Sequence, residues 1–508
     1  MPAPSGGLDL VSPIDNMEPS SALELVNVFP GASAPTVRNG YKQFCDLGTS
    51  SQVQFLYEYP SKNGTTQLIA AQNAKIYAIS DTGTVTNISK TGGYASGKWN
   101  KELFGGNIYL ANAYGEAPQV YKGTGLAANI NATCRAGPSI TELSHVFSYR
   151  NRLYFIQNNT FVMWYDKTVN AVLTTAPSVL DSYDFSYIMR RGGYLLFMGN
   201  YTNQNGINPQ DYFVAVSSEG ETVVYSGYSP DDPTWSLVAH FQIGKPLGPK
   251  AYVRVNQDFW IITQQGIVPM SALFQTDPEQ ALNIISRKIN PLISQYSTQV
   301  GLSEMWSGFF WAQGRRVYIT LPDSSGSATF LVYSIDQKSW TQFILSVGDH
   351  AVASCKFNSL PFYGSTTGII YQGETGYADV VTATSSGQAI NFSGRLAFSF
   401  YGSRGNYKAF KDIRPILKAR RGIQVSVALD TNFQRQSTLP PITNVNSTYT
   451  AWGSVWSSPW SSDVDYIYDR HAIAGQGHSA AIRFAGSLIN SPCQIIGFEV
   501  RYDQGGQV

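Results

Sequence analysis

Residues 315–343 read RRVYITLPDSSGSATFLVYSIDQKSWTQF. Val317, Tyr318, Ile319 and Thr320 are β-branched or aromatic, Pro322 to Gly326 is turn chemistry, and Phe330 to Tyr333 supplies a second strand, so the segment reads as a hairpin. A further turn at Asp336 to Ser339 delivers Trp340 to Phe343 as a third, more exposed strand. A sheet of three or four such strands cannot bury both its faces, so it needs copies of itself to pack against. The chain supplies them as a polar or glycine turn followed by an apolar-aromatic strand, at Ile76-Tyr77, Ile108-Tyr109, Leu153-Tyr154, Tyr194-Leu195, Phe259-Trp260, Val317-Tyr318 and Phe362-Tyr363. These anchors lie roughly 30 to 65 residues apart, bracketing the ~40 to 50 residue period of four-stranded propeller blades. The spacing predicts an all-β fold, a β-propeller of about seven blades; a pair of β-sandwiches of the same composition is the other architecture it allows.

With 508 residues, 31 Tyr, 26 Phe, 46 Gly and 25 Pro, the chain is an all-β protein of two or three units with many turns. Lys plus Arg number 35 against 34 Asp plus Glu, so no overall basic field marks a dedicated nucleic-acid binder. Near-neutral charge gives little protection against self-association and favours life in an assembly. No apolar run reaches the roughly 20 residues of a membrane helix, and the opening MPAPSGG has no signal-peptide pattern, so synthesis in the producer's cytosol is expected. Cys45, Cys134, Cys355 and Cys493 are far apart and indicate neither a disulfide framework nor a zinc knuckle.

Three regions follow. Residues 1–45, rich in proline and with one helical candidate at 20–28, read as an extended N-terminal arm and a first strand that take a fixed path by docking; removing residues 1–34 is expected to impair assembly more than folding. Residues 46–384 are the propeller, with a small helical insertion near 277–298 in which Asp277, Pro278 and Gln280 precede Leu282, Ile285 and Ile289 as a helix start. Residues 385–508 form a C-terminal antiparallel β-sandwich-like domain, where Ile423, Val425, Val427 and Leu429 alternate with polar residues and Ile496, Phe498, Val500 and Tyr502 do the same. Trp452, Trp456 and Trp460 sit in a long loop whose Pro459 argues against a helix.

Gly92 to Lys98 match seven positions of a phosphate-binding loop, but Trp99 stands where a magnesium-ligating hydroxyl belongs, so an inter-blade turn is expected. Ser229 to Trp235 is similar to the Asp-box of sialidase propellers but lacks its glycine. The five histidines show no ligand spacing and no nucleophile elbow occurs; no catalytic, cofactor or metal residues are nominated, and no enzyme is expected. The one dense basic run is Arg404, Lys408, Lys411, Arg414, Lys418, Arg420 and Arg421, interleaved with Tyr407 and Phe410. That mixture suits a nucleic-acid backbone, and equally a charged sheet edge or a subunit contact.

Three pieces of sequence resemble the nozzle or hub tail proteins of short-tailed bacteriophages: Gly6 to Leu10 with Val37-Arg38-Asn39-Gly40-Tyr41; Ile261 to Ser271 with Ile284 to Ile289; and Tyr371 to Asp379 with Arg414-Pro415 and Phe498 to Gly506. The resemblance implies a propeller virion protein of the tail, a ring of six copies around the tail axis, with genomic DNA passing through the lumen during ejection and other contacts to the head–tail adaptor and tail fibres. It implies no cofactor and only transient, non-specific contact with DNA, and the basic run is then expected at a subunit contact away from the lumen. A carbohydrate-active or carbohydrate-binding propeller is the alternative from another class.

Overall fold

The computed structural model describes residues 1–508 except 32, 63, 175, 176, 204–208, 276–283, 327, 347–350, 383, 420–422, 436–438, 440–464, 468 and 508. The chain is a β-propeller carrying a β-sandwich on its flank. Antiparallel blades follow one another over residues 55–87, 100–129, 143–184, 195–242, 252–269 and 308–343. The last blade, residues 351–373, has only three strands of its own. Its fourth comes from the other end of the chain.

Tight turns make the blades. Phe104 pairs with Asn107, Tyr149 with Arg152 and Phe357 with Leu360, so two residues connect each of these hairpins. Those connectors are Gly105-Gly106, Arg150-Asn151 and Asn358-Ser359, and both φ angles are positive in every case. Such turns match the right-handed twist of the flanking strands. The recurring turn-plus-strand anchors are therefore real elements, but not all the same one: Asn107–Ala111, Arg152–Gln157, Asp258–Thr263, Arg316–Pro322 and Leu360–Ser365 are second strands, Lys75–Ile79 is a third and Leu195–Asn203 a first. Mixing positions within the blade made the spacing uneven.

The arm contributes β1 (Gly7–Leu8), β2 (Ser21–Val26), β3 (Val28–Phe29), β4 (Thr36–Val37) and β5 (Tyr41–Asp46). The helical candidate at 20–28 is thus strand, because six residues gain little as an isolated helix whereas β2 hydrogen-bonds between strands on both sides. β5 pairs with Ile369–Gly373 from Tyr41↔Gly373 to Ile369↔Asp46 and closes the propeller ring. Ala351–Phe357 then packs beside Phe55–Pro60, joining the last blade to the first.

β2 also carries the 308–343 blade outward, continuing its sheet into Ile390–Leu396, Ala480–Leu488 and Gln424–Thr431. A second sheet, of β3, β4, Cys493–Gln507, Asn406–Ala419, Asp465–Ile467 and His471–Gly477, covers it. Leu25 and Val28 from the arm interdigitate with Phe392, Leu396, Ile413, Phe484 and Phe498 between the two sheets. One alternation expected from sequence is broken: Leu417 pairs with Ile495 and Ile416 with Gly497, so Ile496 is the extra residue of a bulge and stands 39% exposed. Met270–Gln275 forms α1 and Asn290–Val300 forms α2, with Pro291 in its first turn and Ile293 buried. The expected cap at Asp277 to Gln280, with Leu282, lies outside the described residues. Among the described residues no helix is long and apolar enough to cross a membrane.

Where β4 hands over to β5, Arg38 donates to Asp379 through Nη1 at 2.6 Å and Nη2 at 2.5 Å, with the two side chains 2% and 1% exposed. Its guanidinium lies 4.9 Å from the Phe343 ring centroid. Next to it Gly40 donates to Gly376 O at 3.0 Å, and a Cβ at Gly40 would fall 1.8 Å from Ala378 O, so no larger residue fits this crossing.

Breaking a buried ion pair from one side leaves an uncompensated charge, so Arg38→Met is expected to cost about 3–5 kcal/mol in urea unfolding, and the double change Arg38→Met with Asp379→Leu distinctly less. Because Leu8, Ala22, Leu25 and Val28 are core residues, deletion of residues 1–34 is expected to abolish cooperative unfolding rather than assembly alone. Near-ultraviolet circular dichroism of the truncated protein checks this.

Candidate functional site

The basic run lies on the long strand Asn406–Ala419 and the loop before it. Arg404 is exposed, donates to Asp15 O at 3.2 Å and lies 4.5 Å from the Phe400 ring centroid. Lys408 is fully buried: its ammonium donates to Ser403 O at 2.6 Å, Asn406 O at 2.9 Å and His478 O at 3.3 Å. It is a strut inside the sandwich and presents no charge to a partner, a correction to its place in the expected contact cluster. Lys411 pairs with Asp503 at 3.0 Å and Arg414 with Glu499 at 3.4 Å, while Asp412 receives Arg501 at 2.6 Å and Arg470 at 3.0 Å. Arg414 faces Glu499 and Asp412 faces Arg501 directly across the two strands. Opposite charges at facing positions stabilise a sheet modestly and cancel its field. Lys418 is exposed. Arg420 and Arg421 lie outside the described residues. The strip is thus a lattice of both signs. It sits on the second sheet of the sandwich, which is separate from the sheets of the blades.

The other motifs resolve as structure. Gly92 to Lys98 is the loop between two blades, and Trp99 after it is fully buried against Tyr94 with ring centroids 5.0 Å apart. In the turn 229–235, Thr234 donates through N and Oγ1 to Asp232 Oδ1 at 2.8 and 2.6 Å, and Trp235 stacks on Tyr225 at 4.9 Å. This turn joins the two outer strands of its blade, away from the channel. Trp452, Trp456 and Trp460 lie outside the described residues.

The chemistry gathers instead on the inner strands. Lys101 Nζ lies 4.9 Å from the Tyr57 ring centroid, Arg254 Cζ 5.3 Å from Phe147 and Lys250 Nζ 6.0 Å from Phe55. Each pair links two different blades or their connections. The propeller channel is therefore crossed by side chains at this level, and too narrow for a nucleic-acid duplex. Glu102 accepts from Ser148 Oγ at 2.5 Å, and Lys250 stands 3.8 Å from Glu304. Burial, then the charges of Arg254 and Lys250, push the Lys101 ammonium down to about 8, against the pull of Glu102. Lys101 is half-buried, so water in the channel still screens part of that repulsion. His145, 1% exposed, is pushed down to about 3 by burial and Lys101 and is neutral. Its Nε2 accepts from Met198 N at 3.4 Å, which puts the proton on Nδ1. Sequence reading passed over these residues because single charges such as Arg254 in YVRV look like solvated positions; their one signal is a cation inside an otherwise apolar strand.

A second concavity, a groove of about 390 Å³, lies beside the 195–242 blade, with Arg150, Asp211, Tyr212 and Tyr228 in its wall. Arg150 lies 5.6 Å from the Tyr228 ring centroid.

No protein-family model matches the chain, and no curated protein does. Among solved structures, a catalytically inactive variant of virginiamycin B lyase from Staphylococcus aureus with quinupristin is similar at 9% identity and a TM-score of 0.43, covering 65% of this chain and 98% of that one. A streptogramin B lyase gives 11% identity and a TM-score of 0.42 over 65% and 96%, and U3-55K gives 8% and 0.40 over 66% and 99%.

The Lys101 shift has a pH signature. Between about 8 and the ordinary 10.5 the unfolded chain binds a proton that the folded one has released, so stability from this group rises with pH across that window, and the full penalty stands below it. In phosphate-free buffer, Lys101→Met is expected to be more stable than the parent at pH 7, with the gap closing by pH 10.5. Paired urea titrations at both pH values check this.

Proposed function

We propose that this chain is a structural subunit of a short-tailed bacteriophage tail, one that assembles with copies of itself, six in the reading adopted here, into a nozzle or hub ring. The observation that carries the reading is the meeting of two segments behind the family resemblance. Residues 37–41 and 371–379 are far apart in sequence, yet they join through Arg38–Asp379, Gly40–Gly376 and the pairing of Tyr41 with Gly373. In this reading the short motifs recur in the family because they close the propeller, which we take to have seven blades.

The crossed propeller channel supports a division of labour in which DNA passes along the axis of the ring of subunits and not through any one propeller. The mixed-charge strip on the sandwich suits a contact with an adaptor, a fibre or a neighbouring subunit, made by Arg404, Lys411, Arg414 and Lys418 exchanging partners with carboxylates across the boundary. A glycan-binding propeller is the second reading, favoured by the groove at Arg150, Asp211 and Tyr228, where an exposed tyrosine face and planar polar groups stand together.

Native mass spectrometry of the purified protein separates the two. Ring formation is expected, with a mass near six times 55.7 kDa, and is expected to fail in Arg414→Glu with Lys418→Glu while the far-ultraviolet spectrum is kept. A stable monomer that binds glycans, and loses them on Tyr228→Ala, would sink the tail assignment.

A further inference from the structure

We propose that the propeller channel is a binding site for a small phosphate-class oxyanion, held between Lys101 and Arg254. The proposal is independent of the tail reading. Five cations converge here, Lys98, Lys101, Lys250, Arg254 and Lys356, against three carboxylates, Glu58, Glu102 and Glu304. Lys356 and Lys250 face Glu58 and Glu304 at 3.5 and 3.8 Å. Lys101 and Arg254 have no ion pair among the described residues, only the ring faces of Tyr57 and Phe147. Two cations brought together from different blades repel one another, Glu102 offsets only part of that repulsion, and a dianion placed between them removes it.

The neighbouring groups are donors. Burial raises the Tyr57 and Tyr252 hydroxyls above their ordinary value, so both keep their protons at neutral pH. His145 supplies an independent sign of a missing partner: its Nδ1 is buried without a hydrogen bond in a neutral ring whose other nitrogen already accepts one. A buried N–H left unpaired is costly, and polar cavities resolve that cost with a ligand or water. Arginine's planar fork, a mobile ammonium and tyrosine hydroxyls are the donor set that recognises tetrahedral oxyanions. The same chemistry serves free phosphate and a phosphate monoester.

The test is calorimetric titration of the full-length protein with inorganic phosphate, sulfate and adenosine monophosphate, alongside thermal unfolding. Saturable phosphate binding is expected, competed by sulfate, weakened at least tenfold by Lys101→Gln and by Arg254→Gln, and unchanged by Lys245→Gln, which lies on a separate exposed pair with Glu219. Lys101→Arg should keep the binding, which guards against a folding artefact. Binding should also weaken as pH rises through the range in which Lys101 loses its proton. Tighter binding of the monophosphate than of free phosphate would make a monoester the source. No saturable binding of any of the three by the parent protein, or equal binding by both glutamine variants, would overturn the proposal. So would binding confined to oligonucleotides that phosphate fails to compete.

Discussion

A propeller is stable only when its ring is closed, since an open last blade would leave one sheet edge and two apolar faces in water. Here closure depends on β5 pairing with residues 369–373, and that pairing is fixed by the buried Arg38–Asp379 pair beside it. The ion pair is a poor source of net stability compared with apolar packing, because both charges must be desolvated. What it provides is register. With Asn39 donating to Glu374 at 2.7 Å and Gly40 admitted only because it has no side chain, the strand has one position in which these contacts form together.

The same crossing ties the propeller to the sandwich. The arm runs through β2, which borders the 308–343 blade, then through β3 and β4 in the second sheet of the sandwich, and on to β5 in the last blade. One segment of under fifty residues therefore enters three sheets, and the N-terminal ammonium donates to Phe498 O near the other end of the chain. Such long-range pairings carry a high loop-closure cost, and nucleation of this fold must wait for distant parts of the chain to meet.

Charge illustrates how far tertiary arrangement can redirect a sequence signal. In the described part of the dense basic run, Arg404, Lys411 and Arg414 pair with Asp15, Asp503 and Glu499, and Lys408 is held by backbone carbonyls. Lys101 and Arg254, unremarkable in the linear sequence, are brought near one another without an ion pair among the described residues because inner strands of separate blades converge on one axis.

The sequence by itself determined the class of the fold. β-Branched and aromatic runs punctuated by Gly, Asn and Pro turns specify short strands locally, and strands that cannot bury two faces alone require stacking, which is why the propeller was legible in residues 315–343 and their echoes. It also determined the alternation of the C-terminal strands, but not the bulge at Ile496, which follows from pairing with Ile416 and Leu417. Only the tertiary structure decided that residues 20–28 are a strand, that the arm is part of the core, and which cations meet. These outcomes rest on partners hundreds of residues away, such as Asp379 for Arg38, and local periodicity holds no information about them.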